Sequence, residues 1–494
     1  MQDNNQNINS QDPNTNLGTE NASPDRYDTD INNKNSNSNN NNNASNSQNA
    51  ISNNAFVEIN EIRKKKQRLI YWTIGSVILI LIIGITIIYF TEFYKPNKSK
   101  LITLTMWGIR QPGSVYTPVI KEYEKLNPNV KIVYQQVPST YYESSLFNKL
   151  SSGVNEPDIV SVGNTYIPIY QKFLSPAPAS VITKLQFQNL FYSTAVSDFT
   201  SGNNVYALPS NYDGLALFYN KTEFQKAGLT APSSNINTFI SQIPKLVVKN
   251  SAGNVTQAAI DIGTNTSNIN NSYNILTYLM FLNKTKMISG NAVTFANGQN
   301  GQEALNIYNK IAQEDQWGAT FPNSISAFAG GSVAMVFEPS WEVQNILKLN
   351  PNLNLGIVMP PQIPGNTVNL SLYFGRAVTK YSKNPTAAWK FIRYLDSRNV
   401  LLQLYNSEIQ NGEVLGEVFP RVDMASLASK YKYMSPFVQM APSSKTWAMG
   451  DYRKTANIFE NVINGKITLK EAQSKIYSML IQITNGNYSV PPNE

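Results

Sequence analysis

The spacing of apolar and polar positions divides the chain into three stretches. In residues 1–54 apolar residues follow no regular spacing, and Asn, Ser, Gln and Asp dominate, with the run NSNSNNNNNASNSQN. Such a stretch buries too little apolar surface to offset the entropy lost on ordering, so residues 1–62 are expected to form a disordered, Asn-rich tail. Leu69–Phe90, LIYWTIGSVILILIIGITIIYF, then runs without a charged residue. As a helix rising about 1.5 Å per residue it spans roughly 33 Å, enough to cross a bilayer. Signal-peptide cores run only about 7–15 apolar residues. TEFYKPNKSK follows in place of a small-x-small cleavage pattern. Residues 69–90 are therefore read as an uncleaved transmembrane anchor, and 91–100 as a polar tether.

From Leu101 the periodicity changes to that of a globular α/β protein. KLITLTMWG, VKIVYQQV and PDIVSVG read as strands. SVYTPVIKEYEKLNPN reads as a helix with Ser114 as N-cap and Val119, Tyr123 and Leu126 on its inner face. In ALPSNYDGLALFYNK, Leu215–Tyr219 is apolar on both faces, which predicts a fully buried strand. NPTAAWKFIRYL predicts a helix capped by Asn384, with Pro385 at its first position. Its buried stripe is Ala388, Phe391, Ile392 and Leu395, and Trp389 is assigned to packing. Strand–helix–strand alternation argues for parallel sheets joined by right-handed crossovers. The length exceeds one ordinary domain, so two lobes are expected.

Composition narrows the chemistry. The chain has neither cysteine nor histidine. Disulfides, thiolate or imidazole metal sites, and Ser-His-Asp or Cys-His catalysis are therefore excluded. The net charge of +8 is modest for 494 residues and forms no concentrated basic stripe in the globular part, so no nucleic-acid partner is expected. The one compact basic block, Arg63–Arg68 (RKKKQR), is denser than Lys95, Lys98 and Lys100 on the other side of the apolar run. That asymmetry predicts a cytoplasmic N-terminus and an extracytoplasmic C-terminal part, single-pass in the cell membrane.

Six phrases, in order, carry a resemblance. They are LTMWG…VIKEYEKLNPNVKIVYQQV, SSGVNEPDIVSV, VYALPSNYDGLALFYNKTEFQKAGL, FAGGSVAMVFEPSWEVQNI, FGRAVTKYSKNPTAAWKFIRYL and NVINGKITLKEAQSKI. Together, over most of residues 101–485, they resemble extracellular solute-binding proteins of ABC importers, specifically the carbohydrate-binding, maltodextrin-binding-protein-like group. The resemblance implies a two-lobed periplasmic-binding-protein-like fold with hinge-crossing strands. Lobe one is placed at 101–211 plus 373–430, and lobe two at 212–372 plus 431–485. It further implies a monomer without cofactor, metal or enzymatic activity, which closes on a carbohydrate and delivers it to ABC permease subunits. Gram-positive members are usually held by a lipidated cysteine, which this chain lacks; the transmembrane helix looks like its substitute. The family commonly has Pro-x-Thr-Trp where this chain has APSSNINTFI, a change at a tryptophan more often structural than ligand-binding.

A sugar asks for flat aromatic surfaces under its C–H faces and for directed polar groups at its hydroxyls. The 27 Tyr, 21 Phe and 6 Trp supply platforms. By position, the resemblance implies that Asp213, at the mouth of the buried strand, contacts ligand, with Tyr212 beside it and Trp341 as the stacking ring. Trp107 ends the first strand and, in the fold the resemblance implies, is expected to face the cleft. Asn164 and Thr165, Tyr273, Tyr373 and Trp447 complete the expected ligand-binding set. Glu338 either cooperates with Trp341 or caps the helix that follows. Two alternatives remain at this point: the same fold holding a polyamine, peptide or metal chelate, or a membrane-anchored polysaccharide hydrolase working with paired carboxylates.

Overall fold

In the computed structural model the described residues are 49–92, 100–153 and 157–490. Most of the tail and the tether lie outside them. The chain divides into two compact units, one ending at Lys98 and one running Ser99–Glu494.

The described part of the first unit is a single helix, Asn49–Glu92. It begins well before the apolar run that announces it, so residues 49–62, expected to belong to the disordered tail, are helical. Glu61 and Lys65 stand at the i,i+4 spacing that supports a helix, and no Gly or Pro interrupts residues 49–74. Within the helix Glu58–Thr91 is long and apolar enough to span a membrane, and none of it is buried by protein. Its described Ser and Thr hydroxyls are satisfied internally. Thr73 donates to the Ile70 carbonyl at 2.8 Å, Ser76 to that of Trp72 at 2.7 Å, and Thr86 to that of Ile82. A helix surrounded by hydrocarbon needs this, because lipid offers no hydrogen-bond partner.

Among the described residues the second unit is built on two large sheets, with three two-stranded ones beside them. The first pairs Val130–Gln136, Ile102–Gly108, Ile159–Gly163, Phe374–Thr379 and Leu174–Ser175 in that order, with Leu208–Pro209 also paired to Phe374–Thr379. The second runs Leu355–Val358, Ala216–Asn220, Val333–Glu338, Val255–Ile260, Val248–Lys249. The buried strand lies where its all-apolar pattern places it, with every residue of Ala216–Asn220 inside. The sheets are mixed rather than parallel. Ala216–Asn220 in the second sheet and Phe374–Thr379 in the first run antiparallel to their parallel neighbours. The reason is topological. Each of these strands arrives from the other lobe, enters its sheet from the cleft side, and so points against strands whose C-terminal ends face the cleft.

The expected helices form with local differences. Gly113–Leu126 has Pro112, not Ser114, at its N-cap; Ser114 lies inside the helix and donates to Asn411 Oδ1 at 2.6 Å. Val119 and Tyr123 are buried, but Leu126 is exposed because the helix ends there. Pro385–Leu395 starts after Asn384 and buries the expected stripe together with Trp389.

Three segments cross between the lobes. Gly214 pairs antiparallel with Ser371. The Leu215 amide donates to the Leu370 carbonyl and the Leu372 amide to that of Asp213, both at 3.0 Å. Asn369–Leu370 in turn pairs in parallel with Ser444–Lys445. Tyr212 fastens all three, since its hydroxyl bonds Ser444 Oγ and accepts from Ser371 Oγ at 3.2 Å.

Candidate ligand-binding cleft

The residues that open onto the cleft sit where strands end and helices begin. Gly163 closes a strand, and Asn164, Thr165 and Tyr166 follow it in one 3₁₀ turn. Asn271 and Asn274 stand three apart at the start of the Ser272–Leu282 helix and therefore share a face. Trp341 caps Glu342–Leu349, and Tyr452 is the first residue of the helix to Ile463. With Leu372, Tyr373 and Phe374 from the second crossing segment, they line a cavity of about 190 Å³ beside the hinge. Trp341 and Phe374 also border a larger groove of about 710 Å³, whose other walls include Arg110, Gln136, Gln344 and Glu413.

None of the cavity-lining residues carries a charge. Their hydrogen bonds divide into committed and free. Asn164 is fully used: its Oδ1 accepts from the Tyr373 amide at 3.2 Å, and its Nδ2 donates to Asp198 at 3.1 Å and to the Ser371 carbonyl at 3.4 Å. Asn271 donates to the Phe337 carbonyl and to Glu338 Oε2, at 3.0 and 2.7 Å. Asn274 donates to Asn271 Oδ1 and to the Tyr452 hydroxyl, both at 2.8 Å. Its own Oδ1 is buried and has no partner among the described residues. Nor does a described residue hold the hydroxyls of Thr165 or Tyr166. The cavity thus offers one orphan acceptor and several hydroxyls between aromatic faces.

The expected site residues fall into two layers. Trp341, Tyr373, Asn164 and Thr165 line the cavity. Tyr273 does not, because the helical phase that turns Asn271 and Asn274 outward turns it inward. It is buried, bonds Met449 Sδ, and packs edge-on at 5.3 Å beneath Tyr452. Trp447 is buried against Phe295 and Phe459, and Trp107 packs against the main core. Tyr212 is a hinge residue that stacks behind Tyr373 at 6.1 Å.

Asp213 lines neither space. It is completely buried, and its Oδ1 accepts from the Gly214 amide at 2.7 Å and the Ser340 amide at 3.0 Å. Its Oδ2 accepts from the Ser340 hydroxyl. A carboxylate at the mouth of the buried strand therefore clamps the turn that presents Trp341. Burial pushes its pKa up to about 7, against the pull of the Ser340 and Gly214 hydrogen bonds. Glu338 is held the same way by Asn270 and Asn271, and burial raises its pKa well above the carboxylate range. It neither reaches the cavity nor caps a helix.

Across the groove, the Arg110 guanidinium lies over the Trp341 ring at 4.8 Å from its centroid. Gln344 donates to the Gly412 carbonyl at 3.2 Å and accepts from the Val414 amide at 2.8 Å.

With a two-lobed fold, a three-segment hinge and a lined cavity in place, comparison with known proteins decides the family. The family model for bacterial extracellular solute-binding proteins matches residues 107–398, more than half of the chain. The chain belongs to that family. Its relatives include the multiple sugar-binding protein of Streptococcus mutans, 20% identical over 66% of this chain and 79% of the relative. The erythritol/L-threitol-binding protein of Mycolicibacterium smegmatis is 22% identical over 67% and 74%. Among solved structures, the sugar-binding protein MalE of Xanthomonas citri superposes with a TM-score of 0.64 at 18% identity, covering 78% of this chain and 98% of its own. At that identity the likeness establishes the fold. This solute-binding protein thus shares the two-lobed architecture of ABC-importer receptors, and the family is one of binding proteins rather than enzymes.

Tyr166, Asn271, Asn274, Phe374 and Tyr452 are cavity residues that sequence reasoning missed. The available signal was position: each lies at a strand end or in a first helical turn, as Trp341 does.

Proposed function

We propose that this protein captures a neutral sugar or short oligosaccharide in the hinge-side cavity, closes its lobes around it, and presents it to an ABC permease. The helix Asn49–Glu92 holds it to the membrane, with the N-terminus in the cytoplasm and the binding unit outside. The tether raises the receptor's effective concentration at the permease.

The observation that carries the reading is the cavity wall, in which Trp341, Tyr373, Phe374 and Tyr452 alternate with uncharged donors and acceptors. Aromatic faces suit pyranose C–H surfaces, and unfilled hydroxyl and amide groups suit sugar hydroxyls. A polyamine or metal chelate would call for carboxylates there. The nearby acids, Asp213, Glu338 and Asp198, lie outside the lining and are occupied by protein donors. The sugars named for the Streptococcus mutans and Xanthomonas citri proteins support the same ligand class.

Calorimetry on the detergent-solubilised chain with maltose, mannobiose, maltotetraose and putrescine tests the reading. Saccharide binding that is lost in Asn274→Ala is expected. Binding of putrescine with no response to any saccharide would overturn it. Protease added to intact cells should digest the C-terminal unit and spare the tail; the reverse would refute the orientation.

A further inference from the structure

The short helix Ser193–Phe199 borders neither the cavity nor the groove, yet it ties the one to the hinge. Thr194 and Asp198 lie four residues apart on one face. Thr194 Oγ1 donates to the Ser444 carbonyl at 3.0 Å, and Thr446 Oγ1 donates to Asp198 Oδ1 at 2.6 Å. Both therefore grip the third crossing segment. Asp198 Oδ2 accepts from the Tyr373 hydroxyl at 2.5 Å and from Asn164 Nδ2 at 3.1 Å. These two partners form part of the cavity floor, and Tyr373 belongs to the second crossing segment. The residue after Thr446 is Trp447, set among Phe295 and Phe459 of lobe two. A single half-buried carboxylate, with no Lys or Arg paired to it among the described residues, thus accepts from three side chains on three separate segments.

We propose that Asp198 is a positioning residue that couples the cavity floor to the hinge. Through Tyr373 and Asn164 it fixes the surface on which ligand rests; through Thr446 it carries a displacement of that surface to the segment rooted in lobe two. It thereby sets the angle at which the lobes come to rest. The inference depends on the reading of solute capture by closure. An acceptor that joins separate segments by hydrogen bonds restricts their relative motion. A carboxylate suits the task because both oxygens accept. An asparagine can still serve, with Oδ1 accepting from Tyr373 and Asn164 and Nδ2 donating to Thr446 Oγ1.

The test measures the distance between the lobes directly. Because the chain has no cysteine, Lys125→Cys and Lys310→Cys, both exposed, give a spin-label pair with one label on each lobe. In the ligand-free full chain, Asp198→Ala is expected to widen the pulsed-EPR distance distribution at least about twofold, because a freed hinge samples more states. Thr446→Val cuts a single arm and should widen it too, adding nothing to Asp198→Ala; Asp198→Asn should leave the parental width. The unfolding midpoint is recorded alongside. A lowered midpoint with an unchanged distribution in both Asp198→Ala and Thr446→Val would reduce Asp198 to a structural residue and overturn the proposal. If Asp198→Ala does not fold, Thr446→Val and Tyr373→Phe decide the matter alone. Maltotetraose added to the parent probes closure separately. No shift there counts against the sugar reading and leaves the ligand-free comparison standing.

Discussion

Replacing Asp213 by asparagine should remove a pH dependence of stability that burial creates. The carboxyl is completely enclosed, and its pKa is raised from 3.8 to about 7. The unfolded chain releases this proton near pH 4, whereas the folded chain keeps it until about pH 7. Between those values the folded state binds more protons, so its stability falls as pH rises and levels off above roughly pH 8. One pKa unit corresponds to about 1.4 kcal/mol, so the shift corresponds to roughly 4 kcal/mol at most. The asparagine of Asp213→Asn would not titrate. Its Oδ1 can accept from the Gly214 and Ser340 amides and its Nδ2 can donate to Ser340 Oγ, so the turn before Trp341 keeps its clamp. Urea unfolding of parent and variant at pH 4.5, 6 and 8 isolates the effect. Glu143 and Asp261, raised to about 7, and Asp396, raised to about 6, titrate in both proteins and cancel in the difference. The variant should gain stability relative to the parent by about 2–4 kcal/mol between pH 4.5 and 8. Parallel curves would mean that Asp213 is ionised throughout and that its three hydrogen bonds outweigh its burial.

Other substitutions test other parts of the structure. Trp341→Ala should weaken saccharide binding roughly tenfold to a hundredfold in calorimetry, the worth of about 1–3 kcal/mol of stacking surface; unchanged affinity would exclude stacking on this ring. Arg376→Leu strips the buried partner from Asp396, 2.8 Å away, and should cost about 3–5 kcal/mol in urea unfolding at pH 8. A loss below about 1 kcal/mol would mean that Asp396 becomes protonated without penalty. Gly375→Ala would place a Cβ 2.7 Å from the Phe199 ring, which packs edge-on against Tyr373. It should lower stability by about 1–3 kcal/mol and weaken ligand binding along with it; a loss of stability alone would show that Tyr373 does not shift.

The sequence made the long apolar helix, the buried strand at 216–220 and the Pro385 helix legible because each follows a local rule: an apolar run, apolarity on both faces, a proline at the first turn. Reading the sheets as purely parallel failed for a non-local reason, since strand direction at the crossings depends on which lobe the chain has just left. The cleft shows the same division. Trp341 was readable as an aromatic between a strand and a helix. Tyr452 occupies an equivalent place, but its partner Asn274 is 178 residues away, and Trp447 nearby drew attention by residue type. Tyr273 misled by phase, because one residue along a helix turns a side chain by about 100°. Asp213 was singled out by its setting. What its sequence could not reveal was that Ser340, 127 residues on, meets it first.

The three passages between lobes also bear on biosynthesis. Ile159–Gly163 pairs on one side with Ile102–Gly108, but its other neighbour, Phe374–Thr379, is translated more than two hundred residues later. A nascent chain leaving the ribosome therefore carries an open apolar sheet edge while the whole of the second sheet is made, a template for adventitious pairing until residue 374 emerges. Neither half can be completed by truncating the polypeptide, so both sheets close only once the whole chain has been made.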